Sequence, residues 1–214
     1  PEADRLPLWM ALIDEVVRHR KFADAQWAMK SEQVDEMAAV ADLLAPREPA
    51  LLHRRLFSER DFELYEETGS YDLQAKELED RRQRAVQEVL AAGGIPALLQ
   101  FAVDVESPWR VGVASGVVSD GDLDAAVLPE LMGTQTQSLA QFTGGFVRAR
   151  YFTHGWKWVD AVLRPNWTSE QTGQFLAYLP FVPETWQRAT ALLGGDESPY
   201  WKTTGANAFE ADSG

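Results

Sequence analysis

Apolar residues recur every three or four positions along most of the chain, which is the spacing of one face of an α-helix. Near the N-terminus this stripe consists of Leu6, Trp9, Leu12, Ile13, Val16 and Val17, and a later stripe consists of Leu78, Ala85, Val86, Val89 and Leu90. No segment shows the sustained alternation of apolar and polar residues that a half-buried β-strand has. The pattern therefore predicts an all-α protein.

Glycine, proline and capping residues divide this pattern into separate helices. The predicted helices cover residues 6–20, 24–44 (as one helix, or as two with a break near residue 30), 51–57, 62–67, 72–92, 96–105, 108–118, 122–133, 136–153, 156–163, 169–179, 184–193 and 199–203. Gly93-Gly94 ends the long helix, because glycine readily adopts the left-handed conformation that follows many helices. Ser107-Pro108 and Ser198-Pro199 predict a capping serine before a proline at the first helical position. Thr168 with Gln171 predicts a capping box.

Similar segments recur at intervals of about 40–47 residues in the second half of the chain. Trp109 and Trp201 each lie shortly after a Ser-Pro pair, and Trp156 lies between them, 47 and 45 residues away. A second series, at residues 98–101, 139–142 and 175–179, recurs after 41 and then about 37 residues. Helix pairs of this length are typical of HEAT and armadillo repeats, and they predict antiparallel pairs stacked as an α-solenoid, a HEAT-like superhelix. The alternative is an irregular helical bundle in which common apolar residues align by chance.

The length and spacing of the helices divide the chain into three parts. Residues 1–94 are expected to form an N-terminal helical segment, either separate from the rest of the chain or continuous with it. Residues 95–205 contain the predicted repeats, and residues 206–214 are expected to be a disordered or truncated tail. A solenoid needs a polar-faced repeat at each end, and the tail has no such repeat, so we expect either an array that extends further or a short disordered end.

The composition excludes several classes of function. Because the chain has no Cys, it has no disulfides, no thiolate zinc site and no thiol nucleophile. Its net charge of −13 disfavours binding to nucleic-acid phosphates. Arginines do cluster at positions 54, 55, 81, 82 and 84, but in residues 77–84 acids precede bases by three or four positions. This order favours a solvated, salt-bridged helix face over a basic binding patch.

The sequence predicts a cytoplasmic protein that does not enter a membrane. No window approaches the 18 or more consecutive apolar residues of a membrane span. Residues 1–5 lack the basic and then apolar order of a signal peptide.

The motifs of catalytic and cofactor sites are missing from the sequence. His19, His53 and His154 are isolated from one another and form no HExxH-like pattern, so each is expected to be structural. There is no phosphate-binding glycine loop and no GxSxG motif. We therefore predict no catalytic residue, no cofactor and no metal ion.

Two further motifs have a structural explanation. Gly112 and Gly116 form a GxxxG motif, which predicts close contact between helices of a soluble core because the apolar run is too short for a membrane. Residues 120–124 resemble the start of a calcium loop, but the twelfth position is Leu131 and not Glu. Capping of a helix N-terminus by Asp120 or Asp122 is the favoured role.

One aromatic cluster is a candidate interaction surface. Six aromatic residues lie within 22 positions, namely Phe146, Tyr151, Phe152, Trp156, Trp158 and Trp167. Arg148, Arg150 and Lys157 are interleaved with them, and aromatic residues with Arg are enriched at binding hot spots. Trp156 and Trp158 are two positions apart and cannot share one helix face, so we expect Trp158 to be the more exposed. The candidate surface is Trp158, Arg148, Arg150 and Lys157; the alternative is that the rings form the core between helices.

Three segments carry a resemblance to known proteins, namely residues 19–28 (HRKFADAQWA), residues 179–186 (LPFVPETW) and Tyr200-Trp201. They resemble the HEAT- or armadillo-like α-solenoid regions of large bacterial multidomain proteins, including those attached to nucleotide-binding signalling or defence modules. It implies a non-catalytic segment of a larger bacterial protein, with any enzymatic domain outside the segment.

The leading functional hypothesis is a scaffold that binds a partner protein or another domain of its own chain. A compact helical enzyme domain with an unrecognised pocket is the alternative, and it requires several titratable groups to converge on one cavity. Nucleic-acid binding in a HEAT-like groove is a third hypothesis, and it requires the arginines to gather on one face against the net charge.

Overall fold

The computed structural model describes residues 2–65, 69–164 and 166–204. Of these residues 76% are helical and none is in a strand, which confirms the all-α prediction. The predicted tail, residues 206–214, lies outside the described part of the chain.

The described residues form ten α-helices and two short 3₁₀ helices. The α-helices are α1 (Glu2–Lys21), α2 (Ser31–Leu44), α3 (Pro49–His53), α4 (Tyr71–Asp104), α5 (Pro108–Val118), α6 (Gly121–Val127), α7 (Gln137–Val162), α8 (Ser169–Ala177), α9 (Pro183–Leu193) and α10 (Ser198–Thr203). The 3₁₀ helices are Arg54–Phe57 and Asp61–Leu64. By their internal packing the helices divide into two compact units, Pro1–Ala92 and Gly93–Gly214.

Several helix boundaries lie where glycine and capping residues predicted them. Two positions inside continuous hydrogen-bonded helices are non-helical, Gly94 of α4 (φ 66°) and Gly155 of α7 (φ 64°), and they are the predicted breaks between pairs of helices. A residue with a Cβ atom is strained at such positive φ values. The capping box of α8 is formed as predicted, with Gln171 N donating to Thr168 Oγ1 at 3.1 Å.

Other predicted boundaries are wrong. Residues 24–30 are not helical, and α2 begins at Ser31. The predicted helix 122–133 ends at Val127, because Pro129 cannot continue it. The boundary predicted at Ser107-Pro108 is correct, since Ser107 is the cap residue and Pro108 the first residue of α5, but the Ser107 side chain makes no capping hydrogen bond. At the other Ser-Pro pair the cap is Glu197, and Ser198 is the first residue of α10.

The first unit is built around the apolar face of α1. Val16 and Val17 of this face are buried, and α1 packs against α2, whose Val34 and Ala41 are also buried. Arg5 at the start of α1 donates to the carbonyl of Leu44 at 3.1 Å and so binds one of the last carbonyls of α2.

In the second unit α5 and α7 approach each other so closely that their backbones touch. A Cβ atom built on Gly112 would lie 2.8 Å from the carbonyl carbon of Phe142, and one on Gly116 would lie 2.6 Å from the carbonyl oxygen of Phe146. Gly145 of α7 lies against the carbonyl of Trp109 in the same way. This contact confirms the prediction from the GxxxG motif.

One helix in the described part of the chain is long and apolar enough to cross a membrane by length and composition alone. It is α4, whose most apolar 18-residue window has a mean hydropathy of 1.4 and is 28% buried. The helix contains no run of 18 consecutive apolar residues, as expected from the sequence, and it qualifies only through the mean hydropathy of this window.

Candidate functional site

The structure separates the four residues of the predicted interaction surface. Lys157 is exposed and Arg148 is partly exposed, but Arg150 and Trp158 are buried, each with 6% of its surface exposed. The expectation that Trp158 is more exposed than Trp156 is wrong, since Trp156 is the half-buried one. The physical reason is that the Trp158 indole has both a hydrogen-bond acceptor and an aromatic neighbour in the interior.

A buried cluster around Asp124 supplies that acceptor. Arg150 binds the Asp124 carboxylate through two hydrogen bonds, Nε to Oδ1 at 2.8 Å and Nη2 to Oδ2 at 2.6 Å. The Trp158 indole N–H donates to the same Oδ2 at 2.8 Å, and its ring lies 5.8 Å from the ring of Phe175. Arg150 Nη1 also donates to the carbonyl of Ser119 and to Nε2 of His154. The cluster therefore connects α6 to the parts of α7 before and after Gly155. Within it the charge of Asp124 is balanced by the charge of Arg150.

The sequence did not indicate this cluster. Asp120 does cap α6, as predicted, by accepting a hydrogen bond from the backbone N–H of Asp122. Asp124 faces inward to Arg150, which is 26 positions away in the chain. The only local signal is that Asp124 follows Leu123 and precedes Val127 by one turn, on the buried face of α6.

A second set of residues, from the aromatic cluster and from α9, remains at least partly accessible, and we call it the α7 surface. It consists of Arg148, Tyr151, Phe152, Trp156 and Arg188. Phe152 has 66% of its surface exposed, and the guanidinium of Arg148 lies 5.3 Å from the centre of its ring. The Tyr151 ring contacts the rings of Phe152 at 5.5 Å and of Trp156 at 5.1 Å, both edge to face. Three aromatic rings thus lie together at the surface with a cation beside them.

Arg188 of α9 completes the α7 surface. Its guanidinium lies 4.3 Å from the centre of the Trp156 ring, close enough for a cation–π interaction. It also hydrogen-bonds to the carboxylates of Asp160 and Glu184. The hydrogen bond to Asp160 is the main cause of a raised Arg188 pKa. The bonds to the two carboxylates hold the guanidinium in place against the Trp156 ring.

Buried charges in the first unit are also bound by their neighbours. Arg82 is fully buried and donates to the carbonyl of Leu56 at 2.8 Å and to Asp61 at 2.6 Å, so it does not belong to a solvated face as predicted. Lys21 is buried too. Its ammonium lies 3.1 Å from the centre of the Phe62 ring and donates to the Phe62 carbonyl. Burial lowers the Lys21 pKa, and the charge of Glu63 partly opposes this.

The three histidines lie apart and have separate partners. His19 Nδ1 accepts a hydrogen bond from the backbone N–H of Met29 at 3.1 Å. His53 Nε2 is 2.7 Å from a Glu88 carboxylate oxygen, and His154 Nε2 is 2.8 Å from Arg150 Nη1. Among the described residues, no group of three His, Asp or Glu side chains is placed to hold a metal ion.

The hydrogen bonds of the Glu197 carboxylate are expected to make a contribution to the stability of the fold that depends on pH. The Thr190 hydroxyl and the Trp201 indole N–H donate to its carboxylate at 2.6 and 2.7 Å, and these bonds lower the Glu197 pKa. Because the pKa is lower in the folded chain than in the unfolded one, the bonds stabilise the fold above the unfolded pKa. This stabilisation is lost as the pH falls through the folded pKa. We expect Trp201→Phe to raise the Glu197 pKa, measured by NMR titration of its side-chain carboxyl carbon.

The matched control is Trp27→Phe, at an exposed tryptophan of the first unit, which should leave the Glu197 pKa unchanged. An unchanged pKa in Trp201→Phe as well would show that the indole hydrogen bond does not hold the carboxylate in solution.

No protein-family model, no curated protein and no solved structure matches this chain.

Proposed function

We propose that this chain is a non-catalytic helical-repeat scaffold of the α-solenoid type that binds a partner protein through the α7 surface. The observation that carries the proposal is a group of three adjoining aromatic rings, with Phe152 exposed and Tyr151 and Trp156 partly exposed, which has a guanidinium group against the Phe152 ring and another against the Trp156 ring. Tyr, Trp and Arg are the residues most enriched at the energetic centres of protein interfaces, where rings supply large contact area at little cost in conformational entropy. Phe152, with 66% of its surface exposed, is the part of this group that a partner would cover.

The use of buried charges supports a scaffold over an enzyme. In an active site, buried titratable groups converge on a cavity and remain available to a substrate. Here the buried carboxylate of Asp124 accepts three hydrogen bonds from Arg150 and Trp158. Arg82 is likewise bound to Asp61, Glu79 and a carbonyl. These groups hold helices together.

The packing of neighbouring helices in the second unit supports the repeat organisation. There α5 packs on α7, and α8 packs on both α9 and α10. Two of the three tryptophans that define the repeat interval occupy similar places, since Trp109 and Trp201 both lie in the first turn of a helix that begins with Pro at its first or second position. The third tryptophan, Trp156, lies directly after the break at Gly155, where the second part of α7 begins.

The proposal is tested by placing a photo-activatable phenylalanine analogue at position 152 and, in a separate protein, at position 43. Both native side chains, Phe152 and Leu43, are strongly exposed, but Leu43 lies on α2 in the first unit. We expect a protein from the source cell to cross-link through position 152 and not through position 43. The cross-linked protein is then purified, and its Kd for the unlabelled chain is measured by calorimetry.

Variants then test whether the rings carry the affinity. Phe152→Ser is expected to weaken binding by at least about 30-fold, the effect of losing a hot-spot residue, and Leu43→Ser by less than about twofold. Lys157→Gln, at the exposed edge of the predicted surface, should weaken binding only slightly, since exposed charges at the rim contribute little. Equal binding of wild type and Phe152→Ser would contradict the proposal.

A further inference from the structure

The loop of residues 22–30, which connects α1 to α2, is attached to α1 near its far end by a histidine side chain. The backbone N–H of Met29 donates a hydrogen bond to Nδ1 of His19 at 3.1 Å. In the described part of the chain this N–H has no other acceptor. The backbone hydrogen bonds that residues 22–28 donate reach only three or four positions back, so they form local turns. The imidazole of His19 therefore fixes the end of the loop on α1.

The hydrogen bond between His19 and Met29 requires a neutral imidazole. A neutral ring has one nitrogen that donates and one that accepts, whereas both nitrogens of a protonated ring donate. Since Nδ1 accepts from Met29, the proton of the neutral ring is on Nε2, which lies 3.6 Å from a Glu15 carboxylate oxygen. A second proton would be placed on Nδ1 and would point at the N–H of Met29. His19 is only 9% exposed, so it has little room to turn away while the loop stays in place.

The charged groups around the His19 ring largely balance one another. They come from α1, the loop and α2, and they are Glu15, Arg18, Arg20, Lys30 and Asp35. The carboxylate of Glu15 is bound to Arg18, and Arg20 is bound to Asp35, each at 3.2 Å. The hydrogen bond from Met29 is therefore the contact of the ring that a second proton changes most.

We propose that His19 is a pH-sensitive latch, which holds the loop of residues 22–30 on α1 when its ring is neutral and releases the loop when the ring is protonated. Histidine is the side chain whose charge ordinarily changes between about pH 5 and 8, and protonated histidines alter contacts in pH sensors. The loop carries two exposed aromatic side chains, Phe22 and Trp27, and the Trp27 ring lies 5.5 Å from the imidazole. Release of the loop separates Trp27 from His19 and so changes the aromatic surface of the first unit. The latch does not depend on the proposed protein-binding surface of the second unit.

The test is hydrogen exchange of the Met29 amide in the full chain, followed by NMR and divided by the rate of an unstructured amide at the same pH. We expect this protection to fall at least about tenfold between about pH 8 and about pH 5, because the donor loses its acceptor. The amide of Ala41, which is fully buried in α2, should keep its protection and so show that the helices remain packed. Nitrogen chemical shifts of the His19 ring should place the proton on Nε2 at the higher pH. Protonation of Nδ1 should coincide with the loss of protection.

Two variants distinguish the latch from a general effect of acid. His19→Asn places an oxygen acceptor that does not titrate near the position of Nδ1, so the pH dependence of the Met29 protection should vanish, at whatever level of protection Asn provides. The matched control is His53→Asn, at a histidine that is paired with Glu88, and it should keep the pH dependence of the wild type. The proposal is overturned if Met29 is equally protected at both pH values in the wild type, if Nδ1 carries the proton at the higher pH, or if the two variants show the same pH dependence.

Discussion

Asp124→Ala is expected to lower the free energy of unfolding by about 3–5 kcal/mol, the effect of removing one partner of a buried ion pair. Without the carboxylate, the buried guanidinium of Arg150 loses two hydrogen bonds and its countercharge. The indole N–H of Trp158 loses its acceptor as well. The cost arises because both groups stay buried without a partner, so it exceeds the net contribution of the pair itself.

The free energies are measured by urea denaturation followed by circular dichroism. The matched control is Asp122→Ala, on the exposed side of the same helix, for which we expect a loss of less than about 1 kcal/mol. Replacing the pair together, with Asp124→Leu and Arg150→Met, should recover much of the loss, because no buried charge is then left alone. If Asp124→Ala cost no more than Asp122→Ala, the carboxylate would not be buried in the folded protein.

Gly112→Ala is expected to lower the free energy of unfolding by about 3 kcal/mol, the upper end of the range for an added buried methyl group. The new Cβ would lie 2.8 Å from the carbonyl carbon of Phe142 and 2.9 Å from the backbone nitrogen of Phe146. These atoms belong to the backbone of α7 and cannot move aside as a flexible side chain can. The helices must therefore separate, and the packing along their whole contact is weakened.

Gly121→Ala is the matched control for this prediction. A Cβ at Gly121, the first residue of α6, has no atom within 4 Å, so the substitution should change stability by less than about 1 kcal/mol. Thermal denaturation of the two variants compares them directly. Similar stability of Gly112→Ala and Gly121→Ala would contradict the close backbone contact of α5 and α7.

The helices of this protein could be predicted from the sequence wherever a local signal decides the conformation. Thr168 and Gln171 are close in the chain and form their capping box whatever the rest of the protein does. Gly94 and Gly155 break helices because of their own backbone freedom. The boundary after Val127 was missed because the apolar pattern continues through Leu128 and Leu131, although Pro129 lies between them.

The sites could not be predicted because their members are far apart in the chain. The sequence shows that Trp156 and Trp158 face different sides, but the side that becomes buried depends on Asp124, 34 positions before Trp158. Arg188 joins Trp156 across 32 positions in a similar way. Likewise, the apolar stripe of α1 shows that Val16 and Val17 are shielded from water, yet it does not show that His19 accepts a hydrogen bond from the backbone of Met29, 10 positions later.

The touching backbones of α5 and α7 restrict how the sequence of this protein can diverge. Most core positions tolerate an exchange among apolar side chains of similar volume. At Gly112, Gly116 and Gly145, even one additional carbon atom collides with the main chain of the neighbouring helix. We therefore expect distant relatives to be recognisable by glycine at these three positions, spaced 4 and then 29 residues apart, after most of their other residues have been replaced.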